Sequence, residues 1–538
     1  MRFVLALCAA LTLAACSQHA STYNVEEKSI AQLQADMTSG AVTSEQLVRA
    51  YLARIESVDR SGPNLNSVIA LNPDALAQAR ALDEERKQGH VRGPLHGIPI
   101  LIKDNIETAD NMATTAGSLA LADNITRRDA PMTARLRAAG AVILGKTNLS
   151  EWANIRSSNS TSGWSAVGGL TRNPYALDRN ACGSSSGSGA AAAASLAAAA
   201  IGTETDGSVT CPASINGLVG IKPTVGLVSR TYVVPISHSQ DTPGPMGRSV
   251  ADVAAVLNAI AGGDPADPTT AHADARRVDY VATLNAESLR GARIGVLRYQ
   301  AGFSAAVDQR FDAALHELQA AGATLVEIPH EPPGLEHIGD DELLVLMAEL
   351  KADLNAYLAT TPAAVRARTL SDVIAFDKAT PAELLLFGQD LFEKAEATAG
   401  LSDRAYVQAR QRSLRLASAQ GIDRMLRENR VVALVAPTVG PAWTTDIVNG
   451  DHFTGGSSTT LPAIAGYPHV TVPMGDVAHL PVGLSFIGTA WTDAELLSYA
   501  YAYETRAHMR QAPTYPHSIA EAAPYDAAIR HAPAAPTH

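Results

Sequence analysis

The sequence predicts an α/β fold, and three observations support this fold class. The 538 residues are 46% hydrophobic and 18% charged, which is enough apolar surface for a large core and too little charge for disorder. Short apolar runs alternate with helix-like stretches between residues 98 and 260. Strand-like runs return beyond residue 430, after a mainly helical stretch, and are placed to complete the same sheet.

The first residues have the pattern of a secretory signal peptide. Arg2 precedes an apolar run over 3–15 that is too short to span a bilayer as a mature helix. Small residues at the end of this run lead into Cys16. We therefore expect residues 1–15 to be removed and the protein to be exported.

The residues at the expected cleavage site, 13–16, read Leu-Ala-Ala-Cys and resemble a bacterial lipobox. The resemblance implies that Cys16 is lipidated, becomes the mature N-terminus and starts a linker over 16–25. Ser17 is not the acidic residue that retains such lipoproteins in the inner membrane, so we expect attachment at the outer membrane. Ordinary signal-peptidase cleavage, which leaves a free periplasmic protein, is the alternative.

Two helices are predicted at the start of the folded part. Apolar residues recur at helical spacing over 30–37 and again over 47–55. Thr43 or Ser44 is placed to cap the second helix. An N-terminal helical layer follows from this spacing.

The next stretch predicts the first strands of the sheet and the helices between them. The apolar runs at 98–102 and 141–144 are strand-like, whereas 134–139 and 250–260 are helical in pattern. The alanine-rich run at 190–200 predicts a closely packed buried helix, because alanine is the best helix former. It is too short and too weakly apolar for a membrane span.

The C-terminal half predicts a helical insert at 330–430, followed by closing strands. One apolar stripe in the insert comprises Leu343, Leu346, Met347, Leu350 and Leu354. Strand-like runs follow at 431–436, 469–472 and 484–487. The tail at 513–538 is rich in proline, alanine and histidine, and we expect it to lie loosely on the surface.

Charge and motif content argue against two classes of ligand. The formal net charge of -12 disfavours binding to phosphate backbones, which needs clustered lysine and arginine. The sequence has no H-E-x-x-H motif, and its His330-Glu331 and Glu336-His337 pairs flank a Pro-Pro-Gly turn that does not constrain ligand geometry. We therefore expect no nucleic-acid partner and no metal site.

One short motif matches a phosphate-binding loop by its letters alone. Residues 140–147 fit G-x-x-x-x-G-K-T, but the four intervening residues, 141–144, form an apolar strand. The helical pattern of 132–139 precedes them, whereas a nucleotide loop follows a strand and precedes a helix. We interpret this segment as a buried strand with glycines at its ends.

A second motif matches the nucleophile elbow of α/β-hydrolases. Residues 183–187 fit G-x-S-x-G, which would make Ser185 the nucleophile of a Ser-His-Asp hydrolase. That elbow needs a strand directly before it, and residues 173–180 are polar and turn-like, with Pro174 among them. We therefore disfavour this assignment.

Two serine-rich blocks and one strand form a longer and more specific pattern. Residues 180–189 and 202–213 flank the alanine-rich run and place Ser184 and Ser208 24 positions apart. The apolar strand at 96–105 precedes them. Further blocks are found at 217–224, 241–249, 462–473 and 481–488. Together, these blocks resemble the amidase signature family over most of the chain.

The resemblance implies a fold and a reaction. The fold is a single large domain over 26–512, with a central mixed β-sheet, helices on both faces and the helical insert at 330–430. The reaction is hydrolysis of a carboxylic amide through an acyl-enzyme. Lys103, Ser184 and Ser208 match the catalytic triad of the family, in which a neutral lysine draws a proton from one serine through a second serine whose peptide bond is cis.

The residue types fit this chemistry. An apolar run precedes Lys103, and burial lowers the pKa of a lysine. We expect Thr205, Asp206 and Gly207 to form the oxyanion hole, because Gly207 permits a tight turn whose amides point one way. Ser185 is expected to support the bridging serine. No cofactor is implied.

Two cysteines lie in the folded body, Cys182 and Cys211, and they flank the serine-bearing segments. We expect buried free thiols, because free cysteine is commonly buried. A disulfide bond in an oxidising compartment stays open as an alternative, since the sequence does not give the Cα separation.

Substrate class is the least constrained inference. Thr210 stands where many members of the family have arginine, and the blocks at 182–187, 203–208 and 351–358 most resemble bacterial peptide amidases, which release ammonia from C-terminal peptide amides. We expect that reaction, with a peptide or small-molecule amide as substrate and a monomeric enzyme. The alternatives are an exported amidase for small or acylated non-peptide amides and a catalytically silent surface binding protein. A tRNA-dependent amidotransferase subunit is disfavoured, because it works with cytoplasmic partners.

Overall fold

The computed structural model of the chain describes residues 23–522 and 525–530. The predicted signal peptide and the predicted lipidation site at Cys16 lie outside these residues. Within these two ranges, no helix combines the length and the apolar character needed to cross a membrane.

Fifteen strands are found in the described residues. They are β1 (Val68–Leu71), β2 (Pro99–Lys103), β3 (Val142–Thr147), β4 (Trp164–Ser165), β5 (Gly169–Leu170), β6 (Arg172–Asn173), β7 (Ala176–Asn180), β8 (Ala199–Glu204), β9 (Val219–Lys222), β10 (Thr242–Gly247), β11 (Arg293–Leu297), β12 (Thr324–Ile328), β13 (Ala433–Pro437), β14 (His469–Val477) and β15 (Leu480–Ile487).

Seventeen α-helices are found in the same residues. They are α1 (Ile30–Thr38), α2 (Ser44–Arg54), α3 (Ala75–Lys87), α4 (Pro131–Ala138), α5 (Ser186–Ala193), α6 (Thr210–Ile215), α7 (Val250–Ile260), α8 (Ala273–Arg276), α9 (Ala305–Ala320), α10 (Ile338–Leu358), α11 (Leu370–Ala379), α12 (Asp390–Glu396), α13 (Arg404–Ala417), α14 (Asp423–Asn429), α15 (Thr460–Ala465), α16 (Asp493–Ala507) and α17 (Tyr525–Arg530).

Eleven of the strands form one mixed sheet in the order β1-β3-β2-β8-β10-β9-β14-β15-β13-β11-β12. Strand β2 runs parallel to β3 and β8, and β11 runs parallel to β12 and β13, whereas the other neighbours are antiparallel. Helices flank this sheet and complete a single large α/β domain, which confirms the predicted fold class.

Strands at the centre of the sheet are buried along their whole length. Every residue of β2, β3 and β8 is buried, which matches the continuous apolar runs read from the sequence. A strand covered on both faces cannot alternate polar and apolar residues without burying charge. Lys103, the last residue of β2, is therefore carried into the interior by its strand.

The N-terminal helices begin where the sequence predicts. Thr43 caps α2: its side chain accepts a hydrogen bond from the backbone N–H of Gln46, and the Gln46 side chain accepts one from the Thr43 N–H. This reciprocal capping box satisfies two amides that the helix cannot pair internally.

The alanine-rich run is not one helix, which corrects the prediction for 190–200. Helix α5 ends at Ala193, Ser195 adopts a positive φ of 56°, and β8 begins at Ala199. β8 pairs with β2 on one side and β10 on the other. Small side chains allow this close packing, so tertiary contacts override the helical preference of alanine.

The stretch predicted as a helical insert contains α10 to α14. The predicted apolar stripe lies on α10 and packs into a separate apolar cluster with Phe392 and Trp152, where the rings of these two residues meet edge to face at 5.7 Å. Trp152 lies in the segment that follows β3, so this cluster joins the helices to the sheet.

The start of the C-terminal tail is bound to the body of the domain, which corrects the expectation of a loose tail at residues 515–517. Residues 515–517 exchange three backbone hydrogen bonds of 2.9 to 3.2 Å with residues 174–178. The tail therefore fixes the segment that forms β6 and β7.

Candidate active site

Lys103 is a fully buried amine at the end of β2. Its Nζ donates hydrogen bonds to Ser184 Oγ at 2.6 Å, to Thr203 Oγ1 at 2.9 Å and to the Thr203 carbonyl at 3.2 Å. Burial lowers the pKa of Lys103 to about 7, although the negative charges of Asp241 and Glu204 oppose this shift. A large fraction of this amine is therefore neutral near neutral pH and able to accept a proton.

Ser184 is held in place by its backbone as well as by the lysine. The Gly183–Ser184 peptide bond is cis, as the family resemblance implies. The Ser184 carbonyl accepts a hydrogen bond of 3.0 Å from the Ser150 N–H. A side chain at Gly183 would place its Cβ 2.1 Å from Ser150 Oγ, so only glycine fits before this serine.

Ser185 joins the two serine-bearing segments. Its backbone N–H donates to the Ser208 carbonyl at 3.2 Å. Its Oγ donates to the Thr203 carbonyl at 3.1 Å and accepts from the Thr203 N–H at 3.2 Å. Ser185 therefore fixes Ser208 relative to β8 with three hydrogen bonds, while Ser208 itself is 9% exposed.

The loop that leads to Ser208 turns at Gly207, which has a φ of +76°. Glycine adopts this conformation without steric cost. Within the described residues, the backbone N–H groups of Asp206, Gly207 and Ser208 donate to no protein acceptor. Successive amides without an internal partner can stabilise a negatively charged oxygen.

A second layer of residues, which sequence reasoning did not assign, holds this loop. Asp241 accepts a hydrogen bond from Thr205 Oγ1 at 2.6 Å, and Gln240 Nε2 donates to the Thr205 carbonyl at 3.3 Å. Gln240 Nε2 also donates to Glu342 Oε1 on α10 at 2.8 Å. Burial raises the pKa of Asp241 to about 6. The block at 241–249 was recognised in the sequence, but spacing alone gives no sign of these contacts.

Glu204 fixes the other side of the loop. Its carboxylate accepts hydrogen bonds of 2.8 Å from the N–H groups of Val209 and Thr210. The Thr210 hydroxyl also donates to it at 3.1 Å. Thr210, which departs from the arginine common in the family, thus helps to anchor the start of α6.

A disulfide bond joins Cys182 and Cys211, with their Cα atoms 6.1 Å apart. The expectation of free thiols is therefore wrong. Cys182 lies two residues before Ser184 and Cys211 lies three residues after Ser208, so one covalent bond connects the two serine-bearing segments. The tertiary fold brings them together across 29 positions, a separation that the sequence could not convert into a distance.

The alternative nucleophile, Ser185, is occupied by structural contacts. Its Oγ is buried and bonds in both directions to Thr203. The prediction that no strand precedes it is wrong, because β7 ends at Asn180. β7 pairs with β6 outside the central sheet, so this strand does not form the sheet-to-helix elbow of an α/β-hydrolase.

The pattern that matches a phosphate loop forms the strand β3, as predicted. Lys146 is fully buried there, and its Nζ donates to the Ile106 carbonyl and, at 2.8 Å, to Thr114 Oγ1. The strand and its internal hydrogen bonds leave no loop to surround a phosphate. The two histidine–glutamate pairs at 330–331 and 336–337 are exposed.

A cavity of about 430 Å³ adjoins this region. Thr203 and Thr205 contribute to its wall together with Asn105, whose Nδ2 donates to Thr203 Oγ1 at 3.0 Å. Thr203 therefore contacts the cavity and Lys103 at once. Much of the remaining wall is apolar, with Tyr232, Val233, Val234, Pro235, Ile236 and Ala356.

Comparison with known proteins gives consistent matches along the chain. The amidase family model matches residues 46–497. A protein of Arabidopsis thaliana described as a probable amidase is 37% identical over 505 residues, which cover 92% of this chain and 93% of that protein.

Solved structures match over a similar extent. The native peptide amidase of Stenotrophomonas maltophilia is 52% identical, with a TM-score of 0.86 over 91% of this chain and 99% of that one. A structure of the peptide amidase PAM in complex with the competitive inhibitor chymostatin is 53% identical, with a TM-score of 0.88 and the same coverage of both chains.

Proposed function

The chain belongs to the amidase family and is an amide hydrolase, and on that premise we propose that it removes the C-terminal amide of peptides and releases ammonia. Its similarity to solved peptide amidases, at 52% and 53% identity over nearly the whole length of those chains, supports this substrate class. A competitive inhibitor named with one of those structures supports a small-molecule or peptide ligand.

In the proposed mechanism, Ser208 is the nucleophile. Its hydroxyl passes a proton to Ser184 as it attacks the amide carbonyl, and Ser184 passes its own proton to the neutral amine of Lys103. The N–H groups of the loop at 205–208 stabilise the oxyanion of the tetrahedral intermediate. Such a relay gives a serine hydroxyl the nucleophilic strength that it lacks at neutral pH.

Collapse of the intermediate breaks the C–N bond. The protonated Lys103 returns its proton through Ser184 to the leaving nitrogen, which departs as ammonia and leaves an acyl group on Ser208. A water molecule then attacks the acyl-enzyme and the same groups move its proton, which restores the free serine and releases a carboxylic acid.

One observation carries this mechanism: the buried amine of Lys103 lies 2.6 Å from Ser184 Oγ. A charged surface lysine could not act as the proton acceptor, because its pKa would lie near its ordinary value of about 10.4. The low pKa of Lys103 and its direct contact with a serine support the role of a general base.

The substrate proposal is tested with a panel of amides matched in their acyl part. Peptide amides, aryl amides and fatty acid amides are compared by kcat/KM, with ammonia release as the readout for primary amides. We expect peptide amides to give the highest values. The Ser208→Ala variant serves as the blank, because it keeps the fold and lacks the nucleophile. Preference for a non-peptide amide would overturn the substrate class, and activity of Ser208→Ala at the wild-type level would overturn the mechanism.

We also propose that the enzyme is exported and lipidated at Cys16. The disulfide bond between Cys182 and Cys211 supports export, because such bonds persist in oxidising compartments. The test is metabolic labelling with a radioactive fatty acid in wild type and Cys16→Ser, with fractionation of membranes. Label in wild type alone supports lipidation. Absence of label in both wild type and Cys16→Ser, with the protein in the periplasm, would support ordinary signal-peptidase cleavage and contradict lipidation.

A further inference from the structure

Three side chains with metal-binding atoms meet outside the serine–lysine site. His238 lies in the segment before β10, and Glu349 and Asp353 lie one helical turn apart on α10. One ligand atom from each of the three residues lies within 4.8 Å of the other two. His238 Nδ1 is 2.9 Å from Asp353 Oδ2, and His238 Nε2 is 3.4 Å from Glu349 Oε1.

Among the described residues, no lysine or arginine forms an ion pair within 4.0 Å of Glu349 or Asp353, although the more distant Arg230 attracts Asp353. Glu349 is fully buried, and among the described residues its carboxylate forms an ion pair only with His238. Asp353 likewise pairs only with His238 in that part of the chain. The nearby guanidinium of Arg410 donates instead to Ser239 Oγ at 2.8 Å. Buried charges are usually paired or bound to a metal, and the imidazole that faces the buried Glu349 is shared with Asp353.

Hydrogen bonds fix the orientation of the buried carboxylate. Glu349 accepts from the hydroxyl of Ser239 at 2.6 Å and from the hydroxyl of Tyr406 at 2.8 Å, and it also accepts from the hydroxyl of Ser237. Carboxylates that bind metals are oriented by such outer contacts. Glu349 is thus held by several residues, whereas Asp353, within the part of the chain that the structure describes, accepts hydrogen bonds from His238 alone, through the His238 backbone N–H at 2.8 Å and Nδ1 at 2.9 Å.

The cluster is open to solvent on one side. The side chains of His238 and Asp353 are 44% and 20% exposed, and both residues contribute to the wall of the 430 Å³ cavity. A small ion can therefore reach the ligand atoms. The ligand atoms of a tetrahedral zinc site lie about 3.4 Å apart. The three ligand atoms here lie within 4.8 Å of one another, so small movements of the exposed side chains would bring them to that spacing.

We propose that His238, Glu349 and Asp353 bind a divalent cation, with Zn²⁺ as the ion of choice. A site of one imidazole nitrogen and two carboxylate oxygens suits zinc, whereas magnesium prefers oxygen ligands alone. Histidine binds a metal as a neutral imidazole, so in the loaded site the divalent ion would cancel the charge of the two carboxylates. This proposal does not depend on the amidase reaction.

The test is direct titration of Zn²⁺ into tag-free, chelator-treated protein by calorimetry, in parallel with Mg²⁺. We expect one saturable Zn²⁺ site per chain and weaker binding of Mg²⁺. The Asp353→Asn and His238→Ala variants should each weaken Zn²⁺ binding at least about tenfold, because each removes a ligand.

The control is His452→Ala, since His452 forms a similar exposed pair with Asp446 at 3.3 Å but belongs to no group of three metal-binding side chains among the described residues. This variant should bind Zn²⁺ as wild type does. Absence of saturable binding, or binding that both cluster variants retain, would overturn the proposal. Equal binding of Mg²⁺ through the same residues would contradict the role of the imidazole. Thermal melting of each variant establishes that the fold is intact.

Discussion

The amine of Lys103 and the hydroxyl of Ser184 lie 2.6 Å apart inside the protein, at the junction of a buried strand and a cis peptide bond. Neither residue could reach the other without the sheet, because 81 positions separate them along the chain. The pairing places a titrating amine next to a hydroxyl, and Ser185 joins the nucleophile segment to the neighbouring strand β8.

Activity should depend on pH with a midpoint set by Lys103. Its pKa is lowered to about 7, and the neutral amine is the active form, so kcat/KM should fall about tenfold for each pH unit below 7 and level off above it. The measurement is kcat/KM for a peptide amide between pH 5 and 9, with intrinsic fluorescence to exclude unfolding. A constant kcat/KM from pH 5.5 to 8.5 would show that this amine does not accept the proton.

Removal of the amine should abolish turnover. Lys103→Ala should lower kcat by at least about a thousandfold, and Lys103→Arg should do nearly the same, because a guanidinium stays protonated. Lys87→Ala, at a lysine whose side chain is 71% exposed, is the matched control and should keep wild-type activity. Ammonia release measures the effect. Near-normal activity of Lys103→Arg would be incompatible with a role as proton acceptor.

Gln240 should act as a positioning residue for the oxyanion loop. Its amide links the Thr205 carbonyl to Glu342, so Gln240→Glu replaces a donor with a carboxylate beside another carboxylate. We expect kcat to fall about tenfold or more with KM little changed, because the loop N–H groups act mainly on the transition state. Gln240→Ala should be milder.

Steady-state kinetics with a peptide amide separate the two parameters for these variants. If Gln240→Glu raised KM and left kcat alone, the residue would instead contribute to substrate binding. Gln34→Glu, on the N-terminal helix α1, controls for the loss of a glutamine elsewhere.

Loss of the disulfide bond should destabilise the domain and loosen the serine segments. Closing a loop of this length contributes about 3.5 kcal/mol, so Cys182→Ser/Cys211→Ser should unfold at lower denaturant concentration. Urea unfolding followed by fluorescence measures this. Dithiothreitol should produce a similar loss in wild type and none in the double variant. Equal stability of oxidised and reduced wild type would contradict the prediction.

The sequence predicted the parts of the fold that apolar periodicity and capping chemistry determine. Helices α2 and α7 and strands β2 and β3 lie where their patterns indicate, since a covered strand must be apolar throughout and Thr43 can form a capping box. The prediction of one helix for the alanine-rich run was wrong, because alanine suits both a helix and a tightly packed strand. Only the neighbours of β8 decide between the two.

The candidate site, like the fold, was predicted only in part. The resemblance pointed to Lys103 and Ser184, and the structure brings them into contact; it also joins Ser185 to Ser208. Gln240 and Glu342 were missed because their contribution depends on two segments that are 102 positions apart. The disulfide bond was missed because cysteine spacing carries no information on Cα distance.

The hydrogen bonds between residues 515–517 and 174–178 have a consequence for how the chain matures. The hairpin of β6 and β7 leads directly into the Ser184 segment, and its partners at 515–517 follow all eleven strands of the central sheet in the sequence. Strand β9 also pairs with β14, which begins only at His469. An N-terminal fragment that stops before residue 515 therefore cannot complete the scaffold of the serine segments.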